Sequence, residues 1–319
     1  MGMLCASFFA GVGGIDKGFE QAGFRTVYAN EVDKNASITY MANFPNVRLD
    51  VCDIKDLDEE KDIPDFDILL AGFPCQAFSI AGYRKGFDDE KGRGNLFFEL
   101  VRIIKAKHPK VIFLENVKNL LTHDSGNTFN VISSELEKLG YYVTRTVLNS
   151  SCYGNIPQTR ERIYIVCFKN EKDYKNFSFP LPIKLTTALA DFIDFENKQD
   201  DKFYYTDKCT FYDELVDKIT HSDTCYQWRR VYVRENKSNL CPTLTANMGT
   251  GGHNVPLIKM YDGTIRKLTP RECFNLQGFP KDFILPQNLS NGALYKQAGN
   301  SVVVSVIKRI AEQIKIAIK

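Results

Sequence analysis

The chain has 319 residues, of which 44% are hydrophobic and 25% charged, a composition that excludes disordered, collagen-like and coiled-coil proteins. With 41 lysines and arginines against 39 acidic residues, the net charge of +2 is too small to indicate a nucleic-acid partner by bulk attraction. A single hydrophobic core stops growing at roughly 250–300 residues, so the length predicts a large domain with a smaller one appended.

No segment of the sequence indicates export or membrane insertion. The N-terminus lacks a basic region followed by a cleavage site, and no apolar stretch approaches the roughly 18 residues of a spanning helix. The nine cysteines include no CxxC pair, so we expect neither a disulfide framework nor a metal site. The sequence therefore predicts a soluble, cytoplasmic protein in which at most one cysteine is unusually reactive.

Short apolar runs alternate with amphipathic stretches from residue 3 to 168, a pattern typical of βαβ units. We therefore predict a doubly wound α/β domain with a mixed, mainly parallel sheet over 1–190, completed by a C-terminal helix at 300–319. Residues 191–271 show weak periodicity and Pro/Gly-rich segments, so a smaller, irregular β-rich domain is expected there. Residues 272–299 would then lead the chain back to the first domain.

A glycine-rich turn follows the first predicted strand and opens a predicted helix. It reads Phe9-Ala10-Gly11-Val12-Gly13-Gly14. Such glycines let the backbone approach a ligand at the positive end of a helix. Glu31, 20 residues beyond Gly11, ends the next strand, where a carboxylate can accept the hydroxyls of a ribose. The pattern is neither GxGxxG nor a P-loop, so it favours an adenosine-containing cofactor; a tight βα turn without a ligand is the alternative.

Three further segments place reactive side chains at the ends of predicted strands. Cys75 lies just beyond a buried strand, at the edge of an α/β sheet where ligands bind, and suits a nucleophile. Glu115 ends an apolar strand, where it could protonate a ring nitrogen or pair with an arginine. Arg160 and Arg162 share one face of a strand and could clamp a phosphate or a carbonyl, or form salt bridges.

Seven motifs follow one another along the chain: FAGVGG, NE, GFPCQ, ENV, QTRER, RECFNLQGFP and QAGNSVV. Together and in this order they resemble the C5 cytosine-specific DNA methyltransferases, in particular the compact bacterial enzymes of restriction–modification systems. The resemblance covers residues 4–168 and 267–319, and the set is far more specific than any one motif. It implies a Rossmann-like fold that binds S-adenosylmethionine, with 191–271 as the target-recognition domain.

The resemblance also implies a reaction and roles for the reactive side chains. The thiolate of Cys75 would attack C6 of a cytosine, which makes C5 nucleophilic enough to take the methyl group of S-adenosylmethionine and leave S-adenosylhomocysteine. Glu115 would contact N3 and the exocyclic amine, while Arg160 and Arg162 would bind the base carbonyl and position the site. Because C5 is out of reach inside a duplex, the nucleotide would be flipped out.

For the cofactor, the family places the methionine part against the glycine turn and the ribose on Glu31. The residues implied to bind it are Phe9, Ala10, Gly11, Gly13, Gly14, Glu31, Val32, Asp53, Ile54, Pro74, Leu96 and Asn300. The adenine would lie near four of them, namely Val32, Asp53, Ile54 and Leu96. The methionine pocket would be closed by two, Pro74 and Asn300. Many relatives carry an aromatic residue where Val32 stands, so this chain departs from the usual adenine-stacking position.

The implied substrate is double-stranded DNA carrying a short specific sequence. Thr243 begins the family's Thr-Leu pair, whose threonine holds the backbone at the flipped nucleotide. Between residues 227 and 267 seven basic residues stand against two acidic ones, which suits a phosphate-facing groove or a solvated basic surface. Arg229 or Arg230 could read guanine edges. The resemblance also implies DNA contacts for Gln76 and Ser79.

The expected assembly is a monomer that shares its DNA site with a cognate restriction endonuclease, without a stable complex between them. A tRNA-methylating member of the same family is the nearest alternative. An NAD-dependent dehydrogenase would explain the glycine turn but not Cys75, Glu115 and the arginine pair. A catalytically silent DNA-binding protein would leave the complete motif set without a role.

Overall fold

The computed structural model describes residues 2–74, 96–236, 238–251 and 253–319. Contacts within the chain divide it into two compact units. The first comprises Met1–Leu148, Glu161–Leu181 and Ile307–Lys319, and the second comprises Asn149–Arg160 and Pro182–Val306. Each unit therefore combines segments that are far apart in the sequence.

The first unit is built on a sheet with predominantly buried central strands. In chain order its strands are β1 (Leu4–Phe8), β2 (Arg25–Asn30), β3 (Arg48–Asp50), β4 (Ile68–Gly72), β5 (Val111–Val117), β6 (Tyr142–Asn149) and β7 (Glu161–Phe168). Within the described ranges these seven strands pair in the order β3-β2-β1-β4-β5-β7-β6. All pairs from β3 to β5 are parallel, whereas β7 runs antiparallel to β5. The predicted mixed, mainly parallel sheet of a doubly wound α/β fold is confirmed.

The described residues form ten α-helices, some in the first unit and others in the second. In chain order the described α-helices are α1 (Gly14–Gln21), α2 (Lys34–Asn43), α3 (Leu96–Lys107), α4 (Asn127–Lys138), α5 (Ser150–Tyr153), α6 (Glu171–Asn176), α7 (Tyr212–Lys218), α8 (Pro270–Asn275), α9 (Asn291–Asn300) and α10 (Val304–Ala317). In α3, apolar residues recur at helical spacing and form one face buried in the core of the first unit. That face consists of Phe97, Leu100, Ile103 and Ile104.

Helices α1 and α10 are in close contact within the first unit. Gly18 in α1 lies so near Ile307 that a Cβ at Gly18 would come within 2.5 Å of the Ile307 side chain. Lys315, near the end of α10, donates to the carbonyl of Ala22 at 2.8 Å. The helix that follows the glycine turn is therefore packed against the last helix of the chain.

A smaller antiparallel sheet lies in the second unit. Its strands are β8 (Tyr226–Trp228), β9 (Val233–Glu235), β10 (Leu257–Lys259) and β11 (Ile265–Lys267). They pair in the order β11-β10-β8-β9. One face of the sheet packs on α7 through a cluster made of Leu215, Ile219, Tyr226, Leu257 and Ile265. The small β-rich module that the sequence predicts in this region is confirmed.

The second unit contains both of the ranges to which the sequence assigns separate roles. Residues 191–271 and 272–299 lie within it, together with 149–160, 182–190 and 300–306. The sequence assigns catalysis to 1–190, target recognition to 191–271 and the return of the chain to 272–299. This division by function stays a prediction.

No helix in the described parts of the chain is long and apolar enough to cross a membrane. All cysteines that the structure describes are free thiols. Over the same residues, no group of three or more His, Cys, Asp or Glu side chains is arranged to hold a metal ion.

Candidate active site

The turn after β1 has a backbone conformation that few side chains allow. Gly11 and Gly13 have φ angles of 57° and 82°, in the left-handed region that favours glycine, and Phe9 has a φ of 54°. The N–H of Ala10 donates to the carbonyl of Asn30 at 3.1 Å, and the N–H of Gly13 donates to the carbonyl of Ala10 at 2.9 Å. The turn is therefore held against the end of β2, and α1 begins directly after it.

Gly13 also makes room for an aromatic side chain. A Cβ at this position would collide with the ring of Phe44, which stacks on Tyr40 with ring centroids 4.6 Å apart. Tyr40 donates to one carboxylate oxygen of Asp16 at 2.9 Å, and Ser7 donates to the other at 2.8 Å. Burial raises the pKa of Asp16 to about 6. A buried, hydrogen-bonded carboxyl group thus supports the glycine turn through α2.

Glu31 lies beside the glycine turn, and both of its carboxylate oxygens accept a backbone hydrogen bond. One oxygen accepts the N–H of Gly11 at 2.7 Å, and the other accepts the N–H of Asp33 at 2.7 Å. The residue is only 9% exposed. Because a carboxylate has about four lone-pair sites, roughly two remain for the donors of a ligand. The glycine turn and the start of α2 therefore orient an acceptor of the kind that a ribose requires.

The residues expected around the rest of the cofactor differ in exposure. Val32 is 61% exposed, whereas Ile54 is buried. Asp53 is exposed and its carboxylate caps a short 3-10 helix. Leu96 is half-buried at the start of α3, and Pro74 is exposed beyond the end of β4. Their contacts with an adenine or a methionine group stay predictions.

Asn30 is a positioning residue that the motif analysis missed. It is buried, and its side-chain amide donates to the carbonyl of Asp50 at 3.1 Å and to that of Cys52 at 3.0 Å. Its main-chain carbonyl holds the glycine turn. Asn30 therefore connects that turn with the segment leading to Asp53. The feature of the sequence that could have identified this residue is an asparagine directly before Glu31, because a side-chain amide can both donate and accept hydrogen bonds.

Three predicted site residues, Cys75, Gln76 and Ser79, lie outside the described residues. The structure does describe what holds the chain just before them. Asn116, near the end of β5, donates from its side-chain amide to the carbonyl of Phe73 at 2.8 Å. The asparagine of the ENV motif therefore fixes the backbone two residues before Cys75.

Glu115 and Arg162 form an ion pair at the end of β5, with Arg162 Nε 3.2 Å from Glu115 Oε1. Glu115 is 8% exposed. It lies opposite Gly72 in the pairing of β4 with β5, and a Cβ at Gly72 would be 3.6 Å from Glu115 Oε2. The sequence left open whether Glu115 pairs with an arginine, and the structure contains this pair. The contact of Glu115 and Arg162 with a cytosine stays a prediction.

Arg160 is buried within the second unit. Its guanidinium donates to the carbonyl of Leu244 at 2.7 Å, to that of Gly299 at 3.2 Å, and to that of Ser301. Because three backbone carbonyls bind this guanidinium in the protein interior, the geometry supports a positioning role. The predicted contact between Arg160 and a base carbonyl remains a prediction.

Hydrogen bonds to residues 158 and 159 also hold the Thr-Leu pair of the second unit. Thr243 donates its hydroxyl to the carbonyl of Thr159 at 2.5 Å. The N–H of Leu244 donates to Oε1 of Gln158, which is fully buried, at 3.2 Å. Gln158 was missed as a positioning residue, although it is the first residue of the QTRER motif. Asn300 is exposed at the end of α9.

A tight turn at 229–232 joins β8 and β9. The N–H of Arg229 donates to the carbonyl of Tyr232 at 2.8 Å, and Arg230 at the second position has a φ of 69°. A left-handed conformation is uncommon for a residue other than glycine and clusters at functional sites. The guanidinium of Arg229 donates to Oε1 of Gln227 at 3.0 Å. At the exposed tip of the hairpin, the guanidinium of Arg229 is therefore oriented and the backbone of Arg230 is strained.

The basic surface of the second unit is smaller than the sequence indicates. Arg266, one of the seven basic residues between 227 and 267, is fully buried. Its guanidinium forms a bidentate pair with Glu272 at 2.6 and 2.8 Å. Lys267 is half-buried, and burial lowers its pKa. The number of basic residues in the sequence therefore did not distinguish an arginine in a buried ion pair from a basic residue on a surface that could face phosphates.

Comparison with known proteins covers almost the whole chain. The sequence model described as "C-5 cytosine-specific DNA methylase" matches residues 3–316. The chain belongs to the C-5 cytosine-specific DNA methylase family. It is accordingly a DNA (cytosine-5-)-methyltransferase, which confirms the family and the enzyme class expected from the motifs.

Relatives of this C-5 cytosine-specific DNA methylase align over most of their length. The chain is 65% identical over 311 residues to the Type II methyltransferase M.Bsp6I of Bacillus sp. (strain RFL6), covering 97% of each chain. It is 44% identical over 312 residues to the Type II methyltransferase M.SsoII of Shigella sonnei, covering 96% of this chain and 78% of that protein. A solved structure of a Spodoptera frugiperda DNMT2 mutant has a TM-score of 0.75 at 21% identity, covering 99% of this chain and 100% of that one. At this identity the last comparison supports the fold alone.

Proposed function

We propose that this methyltransferase moves the methyl group of S-adenosylmethionine to C5 of a cytosine flipped out of a short, specific sequence in double-stranded DNA. The reaction would pass through a covalent bond between Cys75 Sγ and C6 of the cytosine. The observation that carries the proposal is the carboxylate of Glu31. It is oriented by Gly11 and Asp33 with acceptor sites left over, at the sheet edge where β5 also presents Glu115.

The residues around the glycine turn fit S-adenosylmethionine. The acceptor sites left on Glu31 suit the two ribose hydroxyls. The first turn of α1 presents backbone N–H groups at a positive helix end, which suits the carboxylate of the methionine part. The exposed side chain of Val32 offers an apolar surface to the adenine. When bound, S-adenosylmethionine supplies an electrophilic methyl group on a sulfonium.

The Glu115–Arg162 pair would serve the flipped base. A carboxyl group can hydrogen-bond N3 and the exocyclic amine, and the N–H groups of Arg162 can reach the base carbonyl. Attack of the Cys75 thiolate at C6 pushes electron density onto the ring, where these groups would already be in place to stabilise it. After C5 has taken the methyl group, loss of the C5 proton re-forms the C5–C6 double bond and releases Cys75.

The second unit would bind the DNA, with 191–271 as its recognition region. Arg229 is oriented by Gln227 and so presents a guanidinium that could make a bidentate contact with a guanine edge. The strained backbone of Arg230 supports a role for the same turn. The hydroxyl oxygen of Thr243 retains acceptor capacity beside its bond to Thr159.

The biological role follows from the relatives. Two proteins that match this chain at 65% and 44% identity are named Type II methyltransferases. We therefore infer that methylation by this chain protects DNA from a cognate restriction endonuclease that recognises the same sequence. The protein would act on DNA in the cytoplasm as a monomer, without a stable complex with the endonuclease.

Bisulfite sequencing tests this function. The protein is expressed in a host that lacks cytosine methylation, and the plasmid is sequenced at single-base resolution, with a Cys75→Ser plasmid as the control. Protected cytosines within one short motif, absent from the control, are the expected result. A folded protein that binds S-adenosylhomocysteine but protects no cytosine would contradict the proposal, and an assay on tRNA would then test the tRNA-methylating alternative.

A further inference from the structure

Two ion pairs of the first unit lie close together where β5 ends and β7 begins. Arg162 pairs with Glu115 through Nε, and its Nη1 donates to the main-chain carbonyl of Glu161 at 2.8 Å. Both oxygens of the Glu161 carboxylate accept hydrogen bonds from Lys118 Nζ, at 3.0 and 3.1 Å. Lys118 directly follows β5, and Glu161 is the first residue of β7. A continuous set of contacts therefore leads from Glu115 to the ammonium group of Lys118.

The two ion pairs differ in their access to solvent. The side chains of Arg162 and Glu115 are 14% and 11% exposed, whereas those of Lys118 and Glu161 are 54% and 44% exposed. An ion pair this exposed contributes little to stability, because water and salt compete for both charges. Lys118 can therefore exchange Glu161 for another anion, while Glu115 and the carbonyl of Glu161 keep Arg162 in place.

Lys118 stands at the edge of the sheet where ligands of α/β proteins bind. The carboxyl ends of the parallel strands form this edge, and β7 begins there because it runs antiparallel to β5. Lys118 is three residues beyond Glu115, so at about 3.3 Å per residue their Cα atoms are roughly 10 Å apart. The flexible stem of the lysine lets its charge move within this span. Lys118 can therefore serve the phosphate of a nucleotide whose base contacts Glu115.

Lys110 forms a matched ion pair at the other end of the same strand. It directly precedes β5, and its Nζ lies 2.8 Å from Oδ1 of Asp67, which directly precedes β4. This pair is at the amino ends of the parallel strands, away from the edge where ligands bind. The lysines that flank β5 thus differ mainly in which edge of the sheet they occupy.

We propose that Lys118 binds a DNA phosphate that flanks the flipped cytosine, and that Glu161 is the counter-ion which this phosphate displaces. The inference rests on the proposed function, because it requires DNA at the edge that presents Glu115. In the free protein, Glu161 occupies the donors of Lys118. When DNA binds, a phosphate oxygen accepts these charge-assisted hydrogen bonds and the carboxylate turns to solvent. Glu161 thereby limits the affinity for DNA.

Fluorescence anisotropy measures the contribution of Lys118 to DNA binding. The duplex carries the sequence mapped by bisulfite sequencing, S-adenosylhomocysteine is saturating, and the salt concentration is varied. We expect Lys118→Gln to bind roughly 5- to 15-fold more weakly at about 50 mM salt, with a salt slope that is about 0.9 smaller, because one phosphate contact is lost. The matched control Lys110→Gln should bind within about twofold of the wild type.

Glu161→Gln should have the opposite effect, because it removes the competitor and keeps the shape of the side chain. We expect this variant to bind the duplex about two- to fivefold more tightly than the wild type at low salt. In a Lys118→Gln background, the same substitution should change the affinity by less than about twofold, since Glu161 acts through Lys118.

A modified duplex identifies the phosphates. Neutral methylphosphonate linkages replace the phosphates on both sides of the target cytosine, so no charge remains there for Lys118 to bind. The loss caused by Lys118→Gln should then fall below about twofold. Calorimetry with S-adenosylhomocysteine and thermal unfolding should give wild-type values for every variant, which establishes that the first unit is intact.

The outcomes separate this inference from the proposed function. If folded wild-type protein binds no DNA, the proposed function fails and this inference fails with it. If the protein binds DNA but Lys118→Gln matches Lys110→Gln, the phosphate contact is wrong and the proposed function stands. Equal losses for Lys118→Gln on charged and neutral linkages would also overturn the contact. Glu161→Gln without tighter binding would refute the displacement of Glu161.

Discussion

Replacing Glu31 by glutamine should weaken cofactor binding while leaving the protein folded. In the native chain, two backbone N–H groups occupy one acceptor site on each carboxylate oxygen, at 2.7 Å each. A glutamine keeps one accepting oxygen and turns an NH₂ donor toward the other N–H. At least one charge-assisted bond to a ribose hydroxyl, of about 1.5–3 kcal/mol, is then lost. This loss corresponds to a Kd for S-adenosylhomocysteine that is about 10- to 150-fold higher.

Isothermal titration of Glu31→Gln with S-adenosylhomocysteine measures this effect directly. Glu20→Gln is the matched control, because Glu20 is an exposed acid of α1 that pairs with Lys17 at the surface. The control should change the Kd by less than about twofold, since surface ion pairs contribute little. Thermal unfolding verifies that both variants are folded. A Kd for folded Glu31→Gln within about threefold of the wild-type value would refute the assignment of Glu31 to the ribose.

Three further outcomes follow from particular contacts. Burial raises the pKa of Asp16 from 3.8 to about 6, so the stability that the protonated carboxyl provides at low pH is lost as the pH rises through 6. In urea titrations, the free energy of unfolding relative to Asp16→Asn should fall by roughly 3 kcal/mol between about pH 4 and 7, and a pH-independent difference would count against this. Asn116→Ala removes the bond to the carbonyl of Phe73 and should lower kcat about 10- to 100-fold in methyl-transfer assays, with an unchanged Kd for S-adenosylhomocysteine. An unchanged kcat would show that this bond does not position the site. In fluorescence anisotropy, Arg229→Gln should lose about 1–3 kcal/mol of binding free energy on the cognate duplex only. The control Arg234→Gln, at an exposed arginine, should weaken binding to cognate and non-cognate duplexes alike. Equal losses on both duplexes for Arg229→Gln would exclude base reading by Arg229.

The parts of the molecule that the sequence predicts well are those determined by neighbouring residues. Alternation of apolar runs with amphipathic stretches depends on local periodicity, and the predicted sheet is present with its parallel and antiparallel strands. The glycine turn is equally local: Gly11 and Gly13 have the left-handed backbone that only glycine adopts readily. The spacing from Gly11 and the end of the next predicted strand placed Glu31 beside this turn, and in the structure its carboxylate accepts the N–H of Gly11.

The parts that could not be predicted depend on contacts between residues far apart in the chain. Arg160 bonds to carbonyls that are 84, 139 and 141 residues away, so its position two residues before Arg162 in the sequence does not reveal its surroundings. Arg266 was counted as a surface charge, yet Glu272 binds it in the interior. A basic residue in an irregular region has no periodicity that reveals which way it faces, so only the packing of the second unit distinguishes the two cases.

Covalent trapping tests the central claim most directly. In a duplex with 5-fluorocytosine at the mapped target, C5 has no proton to lose after methyl transfer, so Cys75 stays bonded to C6. Wild-type protein incubated with this duplex and S-adenosylmethionine should migrate on a denaturing gel as a protein–DNA conjugate, and Cys75→Ser should not. No conjugate from wild-type protein on a sequence that it methylates, or an equal conjugate from Cys75→Ser, would contradict catalysis through a Cys75 adduct.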